Sequence, residues 1–126
     1  MTNNSPQVSI ILPTYNESQN ILDILKSIKD NLPKNFVTQT IVVDDNSPDG
    51  TGKIVEDYLK NVKKVADNTI EIIHRKAKEG LGSAILNGIQ QAKGDTIIVM
   101  DSDFSHPPQI IPKLIESIKK YQYDLM

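Results

Sequence analysis

A short apolar run passes directly into a polar turn in the segment Thr40-Ile41-Val42-Val43-Asp44-Asp45-Asn46-Ser47-Pro48-Asp49-Gly50. Because the run is short, β-branched and apolar almost throughout, it indicates a strand that is buried on both faces of a sheet. Asn, Ser, Pro, Asp and Gly are the residues that turns favour. A helix is predicted to follow from about residue 51 to residue 65. The segment therefore has the order of a strand–helix unit in a parallel sheet.

The same alternation continues in both directions along the chain. Apolar runs predict three further strands, at residues 8–12, 69–73 and 96–100. Apolar residues at helical spacing predict three further helices, at residues 18–31, 80–94 and 107–120. Ser18 is the predicted N-cap of the first of these helices, and Gly94 is predicted to end the second. Residues 123–126 are typical of the beginning of another strand, so we expect the chain to be the N-terminal part of a longer protein.

Apolar strands that alternate with helices predict one α/β domain over residues 1–126. Strands of this kind form a parallel sheet covered on both faces by helices. The helices are long enough for the right-handed crossovers that such a sheet requires. The length of 126 residues suits a single domain of this Rossmann-like type.

The composition excludes two classes of function. The net charge is -2, so the chain lacks the basic surface that nucleic-acid binding needs. The longest apolar runs have the length of strands, well below the roughly 20 residues that cross a bilayer, and we expect no transmembrane segment in this chain. The absence of cysteine also excludes disulfides and thiolate metal sites.

Three polar segments that contain acids follow predicted strands, at residues 13–17, 44–50 and 101–106. Ligands of open parallel sheets bind beyond the carboxyl ends of the strands, so these segments are candidates for one site. The alternative is that each acid caps the next helix or closes a turn with its side chain. A single segment would favour that alternative, whereas three at one edge of the sheet favour a ligand site.

Asp101 and Asp103 are the pair of acids that points most specifically to a ligand. In an extended stretch, residues two apart point to the same side, and two neighbouring carboxylates favour a bridging cation. Mg²⁺ and Mn²⁺ prefer oxygen ligands, and Mg²⁺ commonly binds one or two carboxylates together with substrate phosphates. The pair therefore predicts a divalent-metal site at the end of the strand that precedes it.

Two glycines and two histidines complete the set of candidate residues. Gly80 and Gly82 open a predicted helix, and we interpret them as allowing that helix to begin close to the sheet or to a ligand. His74 follows a predicted strand and is expected at the surface. His106 lies near Asp103 in the sequence, so we consider a role in the site for His106 but not for His74.

At these residues the sequence resembles the inverting glycosyltransferases of the GT-A fold, and within them the dolichyl-phosphate mannosyltransferases. The matching stretches are Leu12-Pro13-Thr14-Tyr15-Asn16-Glu17, Val43-Asp44-Asp45-Asn46-Ser47-Pro48-Asp49-Gly50-Thr51, Gly80-Leu81-Gly82-Ser83-Ala84 and Asp101-Ser102-Asp103-Phe104-Ser105-His106-Pro107. The first stretch and the aspartate pair are common to the broad family. The turn at 46–51 and residues 105–107 indicate the polyprenyl-phosphate branch, and Ser102 stands where alanine is more usual.

The resemblance implies a nucleotide-sugar pocket formed by Pro13, Tyr15, Glu17, Val43, Asp45, Asp101, Ser102 and Asp103. Tyr15 would lie against the base or the ribose, and Val43 and Asp45 would hold the base. Asp101 and Asp103 would be the catalytic pair, which binds Mg²⁺ or Mn²⁺ and through it the diphosphate.

The activity that the resemblance implies is transfer of a sugar, with inversion, to a polyprenyl or dolichyl phosphate; mannose from GDP-mannose is the favoured donor. A phosphate monoester is largely dianionic near neutral pH, because its second pKa is about 6, and needs no strong general base to attack. A related transferase that uses a UDP-sugar such as UDP-glucose is the alternative within the family. A phosphoacceptor domain and a non-catalytic scaffold are alternatives of other classes. We expect a cytoplasmic protein at the cytoplasmic face of a membrane, and the oligomeric state stays open.

Overall fold

Strands and helices alternate in the computed structural model, which describes residues 6–32, 37–61, 68–77 and 79–100. The strands in these ranges are β1 (Val8–Thr14), β2 (Thr38–Asp44), β3 (Asn68–His74) and β4 (Thr96–Val99). The helices are α1 (Ile21–Asn31), α2 (Thr51–Asn61) and α3 (Leu81–Gln91). The predicted strands and helices that begin before residue 100 are therefore confirmed within these ranges, and residues 62–65 of the helix predicted at 51–65 lie outside them. The helix predicted at 107–120 and the strand predicted at 123–126 lie outside the described residues.

Helix α1 begins later than predicted. Its N-cap is Asn20 and not Ser18. The N–H groups of Asn20 and Ile21 both donate to the carbonyl of Glu17, at 3.0 and 2.9 Å, and close a turn before the helix. The N–H of Ser18 donates instead to the carboxylate of Asp49, at 3.0 Å. The prediction was wrong because a neighbouring loop binds Ser18.

The described strands form one parallel sheet in the order β3-β2-β1-β4. Pairing of β1 with β2 places Thr14 beside Asp44, and pairing of β1 with β4 places Ile11 beside Val99. The two central strands, β1 and β2, are buried along their whole length. This arrangement confirms the predicted α/β fold and brings the carboxyl ends of the strands to one edge.

Helices cover both faces of the sheet. Helices α1 and α2 pack on the face that carries Val8, Ile10, Leu12 and Val42. Helix α3 packs on the opposite face, over Ile11, Ile41 and Val43. The change of face follows from right-handed crossovers, because the chain runs from β1 to β3 in one direction and then returns across β1 to reach β4. No helix in these described ranges is long and apolar enough to cross a membrane.

Two glycines allow the segment around α3 to approach the sheet closely. A Cβ at Gly88 would lie 2.6 Å from Cγ2 of Ile11 and 3.2 Å from Cγ2 of Val43. A Cβ at Gly94 would lie 2.6 Å from the backbone N of Ser9. Helix α3 already ends at Gln91, so Gly94 serves the close crossing over β1 and does not end the helix as predicted.

The side chain of Gln39 is buried in a polar network between the sheet and the end of α3. Its Oε1 accepts hydrogen bonds from Oγ of Ser9 (2.7 Å) and from the N–H of Lys93 (2.9 Å). Its Nε2 donates to Oε2 of Glu71 (2.7 Å) and to the carbonyl of Gln91 (3.2 Å). Because the buried amide is bonded at both of its polar atoms, it fixes the path of the chain from α3 towards β4.

Candidate functional site

Asp44 joins the carboxyl ends of β1 and β2. Its Oδ1 accepts hydrogen bonds from Oγ1 of Thr14 (3.0 Å) and Oγ of Ser47 (2.6 Å), and its Oδ2 accepts one from the N–H of Ser47 (3.0 Å). The residue is buried. Asp44 therefore closes a turn with its side chain, which is the structural role that the sequence left open as an alternative.

The loops that follow β1 and β2 are bound to each other. Three successive backbone N–H groups of the first loop donate to side chains of the second: Asn16 to Ser47 (2.9 Å), Glu17 to Thr51 (3.0 Å) and Ser18 to Asp49 (3.0 Å). Asn16 and Asn46 have positive φ angles of 58° and 60°, a conformation that asparagine tolerates better than most residues. The two loops thus form one framework at the edge of the sheet.

The carboxylate of Asp49 is stabilised in its ionised form within this framework. Burial acts to raise its pKa, but hydrogen bonds from Thr51 and Ser18 outweigh this effect and lower the pKa from 3.8 to about 2. Oδ1 of Asp49 accepts from the N–H (3.1 Å) and the Oγ1 (2.5 Å) of Thr51, the first residue of α2. Asp49 thus satisfies a donor at the start of α2, and it binds no group beyond the framework in the described ranges.

Asp45 has different partners from Asp44, although the two are adjacent. Its carboxylate accepts hydrogen bonds from the N–H of Glu79 (3.1 Å to Oδ1, 3.2 Å to Oδ2) and from the N–H of Gly80 (3.2 Å to Oδ2). Its Oδ1 also lies 3.0 Å from Nε of Arg75. Asp45 thus connects the end of β2 with the segment that leads into α3.

Arg75 directly follows β3, and its side chain is only 4% exposed. Its Nη2 donates to Oγ of Ser83 (2.7 Å) and lies 3.4 Å from Oε1 of Glu79. Its Nε forms the ion pair with Asp45 without hydrogen-bond alignment, and its Nη1 has no hydrogen-bond partner in the described part of the chain. A buried guanidinium requires neighbouring negative charge, which Asp45 supplies here.

A cavity of about 160 Å³ lies beside Asp45. Its lining combines mostly apolar surface with one buried carboxylate. The lining residues are Pro13, Thr14, Tyr15, Asp45, Gly80, Leu81 and Ala84. They come from the end of β1, the end of β2 and the start of α3, so the cavity occupies the edge of the sheet at which parallel α/β proteins bind ligands.

The structure places the predicted site residues in three groups. Pro13, Tyr15 and Asp45 line the cavity together. Glu17 belongs to the framework beside it, and Val43 is fully buried in the apolar cluster beneath α3. The other predicted residues, Asp101, Ser102, Asp103 and His106, lie outside the described residues.

Several residues at the site had no role in the sequence-based prediction. Arg75 was one of them, because a single basic residue after a strand carries no signal of its own. Leu81 lines the cavity, and the flanking glycines were the only sign that a ligand could approach there. His74 is exposed, as expected, and its Nε2 contacts the carboxylate of Glu56.

The described acids do not form a metal site. No group of three or more His, Asp or Glu side chains within the described residues could hold a metal ion. The carboxylates of Asp44, Asp45 and Asp49 are all bonded to donors of the protein itself.

Comparisons with known proteins identify the family of this chain. Residues 9–126 match the family described as Glycosyl transferase family 2. The chain is 40% identical over 113 residues to a dolichol-phosphate mannosyltransferase of Pyrococcus furiosus, with 90% of this chain and 30% of the relative covered. It is 34% identical over 125 residues to a dolichol-phosphate mannosyltransferase of Saccharomyces cerevisiae, with 96% and 44% covered. The chain thus spans less than half the length of these relatives.

Solved structures share the fold. A mannosyltransferase of Pyrobaculum calidifontis, in complex with GDP-Man and Mn²⁺, aligns with a TM-score of 0.76 at 24% identity, over 90% of this chain and 32% of the other. The S. aureus protein TarS, in complex with UDP-GlcNAc, aligns with a TM-score of 0.72 at 28% identity, over 92% and 32%.

Proposed function

Because this chain belongs to glycosyl transferase family 2, we propose that the whole protein transfers mannose from GDP-mannose to a polyprenyl phosphate, with inversion. The cavity beside Asp45 is the observation that carries the donor part of this proposal. The curated relatives support the acceptor part, since two are named dolichol-phosphate mannosyltransferases and one, of Micrococcus luteus, undecaprenyl-phosphate mannosyltransferase.

The cavity has the chemistry that a nucleobase requires. Pro13, Tyr15 and Leu81 offer apolar surface against which a flat ring can lie. Asp45 offers a carboxylate to the N–H donors on the edge of a base. Guanine has two kinds of such donors on one edge and uracil has one, so a carboxylate at this position favours guanine. The volume of about 160 Å³ suits a base, and the rest of the donor would extend along the edge of the sheet.

Asp101 and Asp103 are the proposed metal ligands. The N–H of Met100 donates to the carbonyl of Ile11 at 3.0 Å, so Met100, which precedes Asp101 in the sequence, lies beside β1. Mg²⁺ or Mn²⁺ bound there would neutralise the charge that develops on the leaving diphosphate. Carboxylates and diphosphate oxygens are the ligands these ions prefer, which fits the proposed pair. Ser102 would contact the diphosphate or the sugar beside them.

The acceptor is proposed to be its own nucleophile. A dianionic phosphate oxygen can attack the anomeric carbon on the face opposite the leaving diphosphate, which inverts the configuration at that carbon. The protein must therefore hold the bound donor in a fixed orientation. It must also keep water away from the face of the sugar that the acceptor attacks. Because the acceptor is a lipid, we expect the whole protein to act at the cytoplasmic face of a membrane.

A UDP-sugar is the second candidate donor. The solved structure of TarS with UDP-GlcNAc, at 28% identity, supports it, because that protein binds uridine in the same fold. A carboxylate can also accept the single N–H donor of uracil. The choice between the two bases consequently depends on measurement.

Calorimetric titration of the chain with GDP, UDP and CDP, with and without Mn²⁺, tests the donor. We expect binding that prefers GDP and weakens when Mn²⁺ is removed. A preference for UDP would select the second candidate. If the whole protein also binds none of the three nucleotides, the transferase proposal fails.

A further inference from the structure

We infer that Arg75 is a positioning residue for the cavity, because it holds the segment 79–83 against the ends of β2 and β3. This inference rests on the proposed function only for its effect on nucleotide affinity. The effect on the segment itself follows from the contacts and can be measured without a nucleotide.

One guanidinium connects parts of the chain that are far apart in the sequence. The backbone N–H of Arg75 donates to the carbonyl of Asp44 at 3.0 Å, which fixes the residue beside the end of β2. From there the side chain reaches Oδ1 of Asp45 through Nε, at 3.0 Å, and Oγ of Ser83 through Nη2, at 2.7 Å. Arg75 therefore binds both the acid that lines the cavity and the first turn of α3.

The wall of the cavity lies between these two anchor points. Gly80 and Leu81 line the cavity. On one side of them, the N–H groups of Glu79 and Gly80 donate to Asp45. On the other side, Ser83 accepts from Arg75. Loss of the guanidinium would leave Asp45 as a buried charge with only the N–H groups of Glu79 and Gly80 to stabilise it, and would release Ser83, so both anchors would weaken together.

The residues at the start of α3 themselves hold this segment only weakly. The N-cap of α3 is Gly80, which has no side chain to bond the first turn and has a φ of 100°. A glycine in that conformation leaves the segment more conformational freedom than another residue would. The exposed carboxylate of Glu79, 3.4 Å from Nη2, adds little, because exposed ion pairs contribute weakly.

Lysine is the informative replacement for Arg75. Arg75→Lys keeps the positive charge beside Asp45, but a compact ammonium lacks the planar fork that spans Asp45 and Ser83. Ser83→Ala removes the second anchor alone, and Ser83→Thr restores a hydroxyl at the same atom. Ser27→Ala, in α1 on the opposite face of the sheet, is the matched control for a serine truncation.

The experiment combines amide hydrogen exchange with nucleotide titration in the whole protein. For Arg75→Lys we expect faster exchange at the N–H groups of Glu79 and Gly80, unchanged exchange in β1 and β2, and a GDP affinity about tenfold weaker, the size of loss seen when an orienting partner is removed. Ser83→Ala should show the same pattern more weakly and Ser83→Thr should recover it. Ser27→Ala should match the parent protein.

Unchanged exchange at Glu79 and Gly80 in both Arg75→Lys and Ser83→Ala would overturn the inference, whatever the nucleotide does. Exchange that rises equally throughout the sheet would show a merely structural role and would also overturn it. Faster exchange at the two sites with unchanged affinity would overturn the link to the cavity. A parent protein that binds no nucleotide contradicts the proposed function, and the exchange result then decides the positioning role by itself.

Discussion

At the scale of single residues, two adjacent acids show how position decides chemistry. Asp44 is bonded to Thr14 and Ser47 and holds a turn. Asp45, the next residue, lines the cavity and pairs with Arg75. Alternation along a strand sends neighbouring side chains to opposite faces, so two aspartates that look equivalent in the sequence belong to different environments.

Asp49 provides the prediction at this scale. Asp49→Ala should lower the free energy of unfolding at neutral pH by about 1 kcal/mol, because it removes hydrogen bonds at the start of α2. The pKa of Asp49 is lowered to about 2 in the folded protein, so the ionised form stabilises folding above pH 4 and this contribution is lost as the pH falls towards 2. The difference in free energy of unfolding between the parent protein and Asp49→Ala should therefore shrink as the pH falls from 4 to 2. Urea unfolding measured from pH 6 to pH 2 checks this.

Asp57→Ala is the control for Asp49→Ala. Asp57 lies in the same helix and forms an exposed ion pair with Lys53 at 3.6 Å, which is worth a few tenths of a kcal/mol. A difference of similar size for the two variants at neutral pH would contradict the role assigned to Asp49.

The predicted ligand role of the site residues stays a prediction, but the structure shows where some of them lie. The rule that ligands bind at the carboxyl ends of strands selected the segments 13–17 and 44–50, and the family resemblance named Pro13, Tyr15 and Asp45 within them. The structure brings these three residues together around one cavity. The rule does not distinguish an acid that binds a ligand from one that closes a turn. Arg75 could not be found in this way, because its importance arises from contacts with residues of α3 and β2 that only the fold brings near.

At the scale of elements, α3 depends on a residue that has no side chain. Gly88 faces Ile11 and Val43 and lets the helix lie directly on the sheet. Helix α3 carries the cavity wall at its start. Its distance from the sheet therefore affects both the core and the site.

Gly88→Ala should destabilise the protein by about 1–3 kcal/mol, the usual cost of overpacking a core. The added Cβ would lie 2.6 Å from Ile11, so the helix must move away from the sheet. Gly82→Ala, in the same helix, meets nothing within 4 Å and should be neutral or stabilise by up to about 1 kcal/mol. Thermal unfolding of both variants tests this difference in stability. An equal loss of stability in Gly88→Ala and Gly82→Ala would refute the close packing of α3.

Element boundaries show where the sequence pattern was insufficient. Strand β2 begins at Thr38, before the predicted residue 40, and includes the buried polar side chain of Gln39. In a sequence, a polar residue counts against a buried strand unless its hydrogen-bond partners are known. Here the partners are supplied by Ser9, Lys93 and other residues far away in the sequence, so no local pattern could reveal them.

At the scale of the whole molecule, the order of the strands places the proposed chemistry. The chain leaves β1 towards β2 and β3, then returns to pair β4 with the other side of β1. Helix α1, which follows β1, and helix α3, which precedes β4, therefore lie on opposite faces of the sheet. A change of face between neighbouring strands is where open α/β sheets bind their ligands. The cavity lies at the end of β1, and residues 101–103 follow β4 in the sequence.

Asp103→Ala in the whole protein should reduce metal-dependent mannosyl transfer by about a hundredfold or more, because it removes a proposed ligand of the cation. Steady-state rates over a range of Mn²⁺ concentrations measure this loss. Asp95→Ala is the control, since Asp95 is an exposed acid just before β4, at the opposite end of the same strand. Near-normal turnover of Asp103→Ala would rule out the metal assignment.

The central position of β1 also determines when the sheet can be completed during synthesis. Its first neighbour, β2, is made soon after it, but the contact between Ser9 and Gly94 joins residues 85 apart. One side of β1 consequently has no strand partner until residues 96–99 have been translated. Closing so distant a contact is slow in folding. We therefore expect refolding of the chain to be limited by the docking of β4, and β1 to wait on the ribosome for the last of the described strands.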